Sequence, residues 1–269
     1  MQELKKHLSV PQQIQKLENR GLLIADKQFA EDMLTSVNYY RLTGYLHNFR
    51  KPNSDSYIDD VSIEQIKAIY DFDRKLTRIL MFALEDIEET LKTRLSYTIT
   101  SEHTDDPLIY LKPTIYREYA PYIKFQWHFY KEVDNNAKLP FVKHHIDNYG
   151  GKLPMWVAVE LFTMGNIHSV YNNLTTKYQK AHAKTYNTGP NQLKNWIENL
   201  TYTRNHLAHY MRIYNFNFGR TPAKCTNHQI DYQKTNMIFD QICAISYMYS
   251  DVKEWNNYIL TEIERIIVE

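Results

Sequence analysis

Four polar side chains crowd into six consecutive positions of the stretch TYTRNHLAHYMRIYN (Thr201–Asn215): Arg204, Asn205, His206 and His209. An imidazole with an ordinary pKa of about 6.5 populates both protonation states near neutrality, so it can act as base or acid. A guanidinium is permanently charged and fork-shaped, and it stabilises charge that builds on phosphate oxygens. An asparagine amide can hold a phosphate oxygen or orient an imidazole. These are the groups needed to cleave RNA without a metal. A base takes the proton of the 2′-hydroxyl, an acid protonates the leaving 5′-oxygen, and a cation steadies the phosphorane between them.

On a helical wheel Trp196, Leu200, Thr203, Leu207 and Met211 form a core-facing stripe. Asn205 and His209, four apart, stack on the other side. His206 is expected to join them, and Arg204 to reach in from the flank. One helix running to Asn215 would add Arg212 and Asn215 as phosphate or base contacts, or as helix-end packing with Tyr214. By spacing alone Arg-x4-His is weak, because ordinary surface or core residues produce it by chance.

Other chemistries have less support. His206 with His209, or Cys225 with His228, has a ligand-like gap, but no His-Glu-x-x-His, Cys-x-x-Cys or carboxylate cluster accompanies them. His144–His145 is similarly isolated. There is no glycine-rich phosphate loop and no Gly-x-Ser-x-Gly elbow. The reading calls for no metal and no cofactor.

The elements that must position these residues are helical. Only 7 glycines and 9 prolines in 269 residues disfavour a loop-rich β architecture, so an all-α fold is expected. Ser9 and Pro11 open a helix that Gly21 closes, and a second starts near Asp26. The turn-forming KPNSDS (Lys51–Ser56) suggests a boundary between residues 1–52, a small helical subdomain, and residues 53–269. Ser62 and Gln65 form a capping-box pair opening a long amphipathic helix to about Thr100. Its run Glu85, Asp86, Glu88, Glu89 is expected to be a solvated face. Arg94 near its end is either a satisfied half-buried arginine or a contact to the Arg204–His209 site. Helices are expected over Thr114–Asp134 and Phe141–Tyr149. The stretch from Leu153 to Leu174 is apolar nearly all round, as a core helix is. A loop from Phe216 to His228 precedes two C-terminal helices.

Charge is uneven. Residues 1–52 carry a net +3, residues 53–106 a net −7, residues 107–253 a net +8 and the remainder −3. A basic middle beside an acidic segment fits a polyanion surface, and equally fits ordinary variation in solvated faces. In VNYYRLTGYLHNFR (Val37–Arg50), Tyr39, Tyr40 and Arg41 either stack on and clamp RNA or pack the N-terminal helices. Two cysteines cannot build a disulfide framework, the N-terminus lacks a signal-peptide core, and no stretch approaches the ~20 apolar residues of a membrane helix. A cytoplasmic protein without a membrane partner is expected.

Four landmarks in order carry a resemblance. They are VNYYRLTGY (Val37–Tyr45), FDRKLTRILMFALEDIEETLKTRL (Phe72–Leu95), LPMWVAVELFTMGNI (Leu153–Ile167) and WIENLTYTRNHLAHYMRIYN (Trp196–Asn215). With them the chain resembles the Abi-like (AbiD/AbiF) abortive-infection family, a branch of the HEPN superfamily. The resemblance implies a HEPN-type helical bundle over residues 53–269 with inserted helices, and a phage-defence, toxin-like activity. It makes Arg204 and His209 the two fixed residues of a ribonuclease signature and Asn205 the polar residue after the arginine. It also implies RNA as substrate, a homodimer that brings two motifs together, or alternatively a non-catalytic complex with a partner noncoding RNA.

Overall fold

The computed structural model describes Leu4, residues 6–225 and residues 235–268; His228 lies outside them. The fold is all-α, and among the described residues there is no β-strand, only isolated bridges. Two compact units divide it. The first comprises Met1–Ile79, Tyr210–Phe216 and Leu260–Glu269; the second comprises Leu80–His209 and Asn217–Ile259. The N-terminal unit therefore extends well past the boundary expected at Lys51–Ser56.

The first unit begins with α1 (Val10–Asn19), α2 (Lys27–Ser36) and α3 (Tyr39–Leu46). Each start follows from its cap: Ser9 with Gln12 in a capping box, Asp26 accepting from the Phe29 N–H at 3.1 Å, and Asn38 accepting from the Tyr40 N–H at 2.8 Å. Gly21, at φ +90°, turns the chain after α1. The Lys51–Ser56 turn reverses the chain and is not a linker. The Tyr57 N–H donates to the Arg20 carbonyl at 2.7 Å, and the Leu23 N–H to the Val61 carbonyl at 2.8 Å. The chain thus re-enters the same core, where Ile63 and Ile66 are buried with Leu17, Leu42 and Tyr45.

The long helix α4 (Ile63–Thr100) starts from the reciprocal Ser62–Gln65 bonds and ends where its periodicity does. Its first part belongs to the first unit, where Asp73 is only 2% exposed. That carboxylate accepts three hydrogen bonds: from the Ile213 N–H at 2.9 Å, the Tyr214 N–H at 2.7 Å and the Tyr45 hydroxyl at 2.8 Å. Burial pushes Asp73 up, against the pull of those donors, and pushes the Tyr45 phenol up as well.

In the second unit α5 (Tyr119–Asn135), α6 (Pro140–Tyr149), α7 (Met155–Ala158), α8 (Met164–Asn173) and α9 (Thr176–Lys184) precede α10 (Pro190–Ala208). The apolar stretch from Leu153 to Leu174 is two helices, α7 and α8, because Thr163 caps α8 in a box with Asn166. Two later helices, α11 (Ile238–Met248) and α12 (Val252–Glu254), follow, and α13 (Leu260–Val268) returns to the first unit. The helix α10 packs on α8, α9 and α11, and its Trp196, Ile197, Leu200 and Leu207 are buried. The buried Thr203 hydroxyl donates to Gln241 Oε1 at 3.1 Å, and Trp196 Nε1 donates to the Ala223 carbonyl at 2.7 Å. No helix among the described residues is long and apolar enough to cross a membrane.

A second polar cluster lies around α9. His182 is fully buried and contacts the Thr98 hydroxyl through Nδ1 at 3.3 Å. Burial, and after it the Arg94 charge, push His182 down to about 3. Arg94 donates to the Thr185 carbonyl at 2.8 Å and to the Ser250 hydroxyl at 3.3 Å, and lies 4.4 Å over the Tyr186 ring.

Asp73→Ala is expected to destabilise the protein by about 3 kcal/mol, because it strands two backbone N–H groups and a phenol in a buried site. An unchanged urea midpoint would refute this. His182 gives a pH signature. Below about pH 6.5 the unfolded chain gains a proton that the folded chain refuses, so stability falls as pH drops toward the depressed folded value, by up to about 1.4 kcal/mol per unit. Urea midpoints measured from about pH 7 to 4.5 should fall less steeply in His182→Gln than in wild type. Equal slopes would exclude His182 as the source.

Candidate active site

The helix that carries the motif is shorter than its periodicity suggests. α10 ends at Ala208, and His209 caps it, its N–H reaching the Asn205 carbonyl at 3.1 Å. Tyr210 then adopts φ +56°, a left-handed conformation costly for a tyrosine, and stops the helix. The next residues have better partners than a further helical turn could offer. In the first unit the Tyr210 carbonyl accepts from Arg41 Nη1 at 2.6 Å, and its ring lies 4.7 Å beneath the Arg74 guanidinium. Ile213 and Tyr214 donate to Asp73, and Arg212 Nη1 donates to the Gly44 carbonyl at 2.7 Å. Met211, expected to anchor the helix, is 54% exposed, and Ile213 is buried instead. Asn215, at φ +48°, is an exposed turn residue, not the end of an active helix.

Within the second unit, Arg204 lies on the flank of α10 with its Nε 3.4 Å from Glu88 Oε2. Their side chains are 35% and 13% exposed, so the pair is half-sheltered, and Lys92 sits 3.5 Å from the other Glu88 oxygen. Glu88 is thus a support for the motif arginine and not part of a solvated acidic face. Asp86 is also engaged, accepting from the Tyr249 hydroxyl at 2.6 Å. Asn205 and His209 are exposed on the outer side of α10.

His206 is not with them. It is 8% exposed, its ring 5.3 Å from Phe218 and 6.2 Å from Tyr202. It lies midway around the axis between the buried Thr203 and the exposed His209, three residues from each, and its burial against Phe218 turns it inward while Asn205 and His209 are exposed. The reading of His206 as an RNA contact on the outer face is corrected to an aromatic-packed side chain.

The remaining expected contacts divide in the same way. Arg94 is the satisfied half-buried arginine, its donors committed to Thr185 and Ser250. Arg41 and Arg212 hold backbone carbonyls in the first unit. Tyr39 is half-buried in that unit, while Tyr40 is 86% exposed.

Two residues with structural roles, Asp73 in the first unit and Glu88 in the second, carry only faint signals in the sequence. Asp73 occupies a slot in the apolar ladder Ile66, Ile69, Leu76, Leu80, where a carboxylate has no place unless donors meet it. Glu88 sits among three other acids and is marked off from them by nothing local. Cys225 and Cys243 are free and buried, and no group of three potential metal ligands occurs among the described residues.

The motif end of α10 thus presents one braced guanidinium, one amide and one imidazole, suited to gripping and polarising a phosphodiester. The profile of the family described as Abi-like protein matches residues 32–215, from α2 through the Asp73-bound segment. No curated protein and no solved structure matches the chain. A match that takes in α3, the whole of α4, α10 and the segment after it covers more than half of the sequence; the chain belongs to the Abi-like family, which associates it with abortive infection.

Proposed function

We propose that the chain is a metal-independent endoribonuclease of phage defence, with Arg204, Asn205 and His209 as its catalytic residues. The observation that carries this reading is the Glu88-braced Arg204 on a helix whose outer side exposes Asn205 and His209. His209 removes the 2′-hydroxyl proton, or donates the proton that the leaving 5′-oxygen takes up. The 2′-oxygen forms a bond to phosphorus as the P–O5′ bond breaks, giving a 2′,3′-cyclic phosphate and a 5′-hydroxyl. Arg204 stabilises the non-bridging oxygens, and Asn205 holds one of them or orients the imidazole. No cofactor enters the reaction.

One geometric fact bears on the assembly. Five positions separate Arg204 from His209, which on a helix puts them about 140° apart around the axis. One copy of the motif presents the pair poorly to a single phosphate, which supports a homodimer in which two motifs complete one site. The same divergence favours a second reading, in which the helix grips a partner noncoding RNA without cutting it.

Labelled RNA incubated with purified protein in EDTA separates the two. Wild type is expected to cleave and to leave cyclic-phosphate ends. Arg204→Ala should lose about 10²–10³-fold in rate and His209→Ala about 10²–10⁴-fold. Glu88→Gln, which loosens Arg204 without removing it, should lose roughly tenfold. Binding without cleavage, retained in His209→Ala, would overturn the nuclease reading in favour of the RNA-binding one. Expression of wild type should slow growth and His209→Ala should relieve it; equal toxicity would show that the motif is not the toxic centre.

A further inference from the structure

The first unit contains a cavity of about 400 Å³ that the Arg204–His209 chemistry does not use. Four cationic side chains line it, Lys6, Lys16, Arg20 and Arg50, against a single carboxylate, Asp55. The backbone builds this concentration of charge. The Arg20 carbonyl takes the Tyr57 N–H, and Arg50 pairs with Tyr57 in an isolated bridge, so the ends of α1 and of the segment after α3 are drawn together. The turn between Arg50 and Tyr57 then places Asp55 against both arginines, 2.7 Å from Arg20 Nη2 and 3.6 Å from Arg50 Nη1.

Asp55 is a poor match for what surrounds it. Its side chain is 69% exposed while those of the arginines are 18% and 33% exposed, so one solvent-screened carboxylate faces a partly desolvated cationic wall. Two buried polar atoms of lining residues, Arg50 Nε and the Tyr39 hydroxyl, have no partner among the described residues. Buried donors left in that state are costly, and a turn of either side chain toward the cavity relieves that cost when an acceptor is present. Burial also pushes the Tyr39 phenol up, so it stays protonated and remains a donor. At the edge, Tyr40 offers an aromatic ring that is 86% exposed.

Each feature answers to one part of the same ligand. Guanidinium forks and ammonium groups match a phosphate monoester, whose second negative charge a chain-internal phosphodiester lacks. An exposed tyrosine face stacks a nucleobase without reading its identity. A cavity of this size takes one terminal nucleotide and not a running strand.

We propose that this cavity binds a terminal nucleotide, its phosphate monoester held by Arg20, Arg50 and Lys16 and its base stacked on Tyr40. The ligand is a free nucleoside monophosphate or the phosphorylated end of an RNA strand. The proposal does not depend on cleavage and stands or falls apart from the nuclease reading.

Titration calorimetry of the full chain carrying His209→Ala, which keeps RNA probes intact, tests it. The probes are the four nucleoside 5′-monophosphates, their nucleosides, and a ten-nucleotide single-stranded RNA bearing a 5′-phosphate, a 3′-phosphate or only hydroxyl ends. At least one phosphorylated probe should bind about tenfold or more tightly than its hydroxyl counterpart. Tight monophosphates identify a free nucleotide as the source, and binding of phosphorylated RNA alone identifies a strand end. Arg50→Gln and Lys16→Gln should each weaken that probe about tenfold. Tyr40→Ala, at an exposed position that folding does not need, should weaken it by a similar factor, and Tyr40→Phe should restore it. Equal binding of phosphorylated and hydroxyl probes would overturn the proposal. So would wild-type affinity in Tyr40→Ala together with Lys16→Gln.

Discussion

A carboxylate removed from water must be given hydrogen bonds, and Asp73 draws two distant pieces of chain to itself to obtain them. The Tyr45 hydroxyl comes from α3, and the Ile213 and Tyr214 N–H groups come from the segment that follows the motif helix. Once those backbone groups are bound to Asp73, residues 210–216 cannot continue α10, whose ladder would require the same N–H groups. The left-handed turn at Tyr210 is the local cost of this arrangement. It is offset by the Arg41 bond to the Tyr210 carbonyl and by the Arg74 guanidinium over the Tyr210 ring. The end of the motif helix at His209 therefore follows from a buried charge on another helix more than from any stop signal in its own sequence.

This explains several residues that look chemical by type. Arg41, Tyr45 and Arg212 are polar or charged and lie in the segments that carry the family resemblance. All three are engaged in binding the 210–216 segment to α3 and to Asp73. Arg94 is engaged likewise between α9 and Ser250. In the motif region Asn205 and His209 stay exposed, and Arg204 is half-exposed beside Glu88. Side chains held on rigid elements with exposed polar groups are what a phosphate site requires.

Much of the architecture could be read from local pattern, since helix caps act over three or four residues. The Ser9–Gln12 and Ser62–Gln65 boxes and the Asp26 cap all form. The failures share a cause, which is that tertiary partners outweighed local periodicity. A wheel drawn through Met211 assumed a helix that Asp73 ends. His206 is three residues from Thr203 and three from His209, so the wheel leaves its side open, and the Phe218 ring draws it inward. Lys51–Ser56 has linker composition, yet backbone bonds from Leu23 and Tyr57 fold it back onto one core. The acids of α4 looked alike in sequence and differ only in what approaches them: Tyr249 meets Asp86, and Arg204 meets Glu88.

The Glu88–Arg204 pair also bears on how an RNA would be engaged. A free arginine on a helix flank loses substantial rotamer entropy when it grips a phosphate. Glu88 restricts Arg204 beforehand through Nε, yet the pair is partly exposed, so the ion pair itself is weak and a phosphate can compete for the guanidinium. Pre-ordering by a replaceable partner suits a residue that must be both aimed and available. It does not bring Arg204 round to His209, because their separation on α10 is a property of helical pitch and not of rotamers. On the proposed reading, the missing half of the geometry comes from the motif of a second copy.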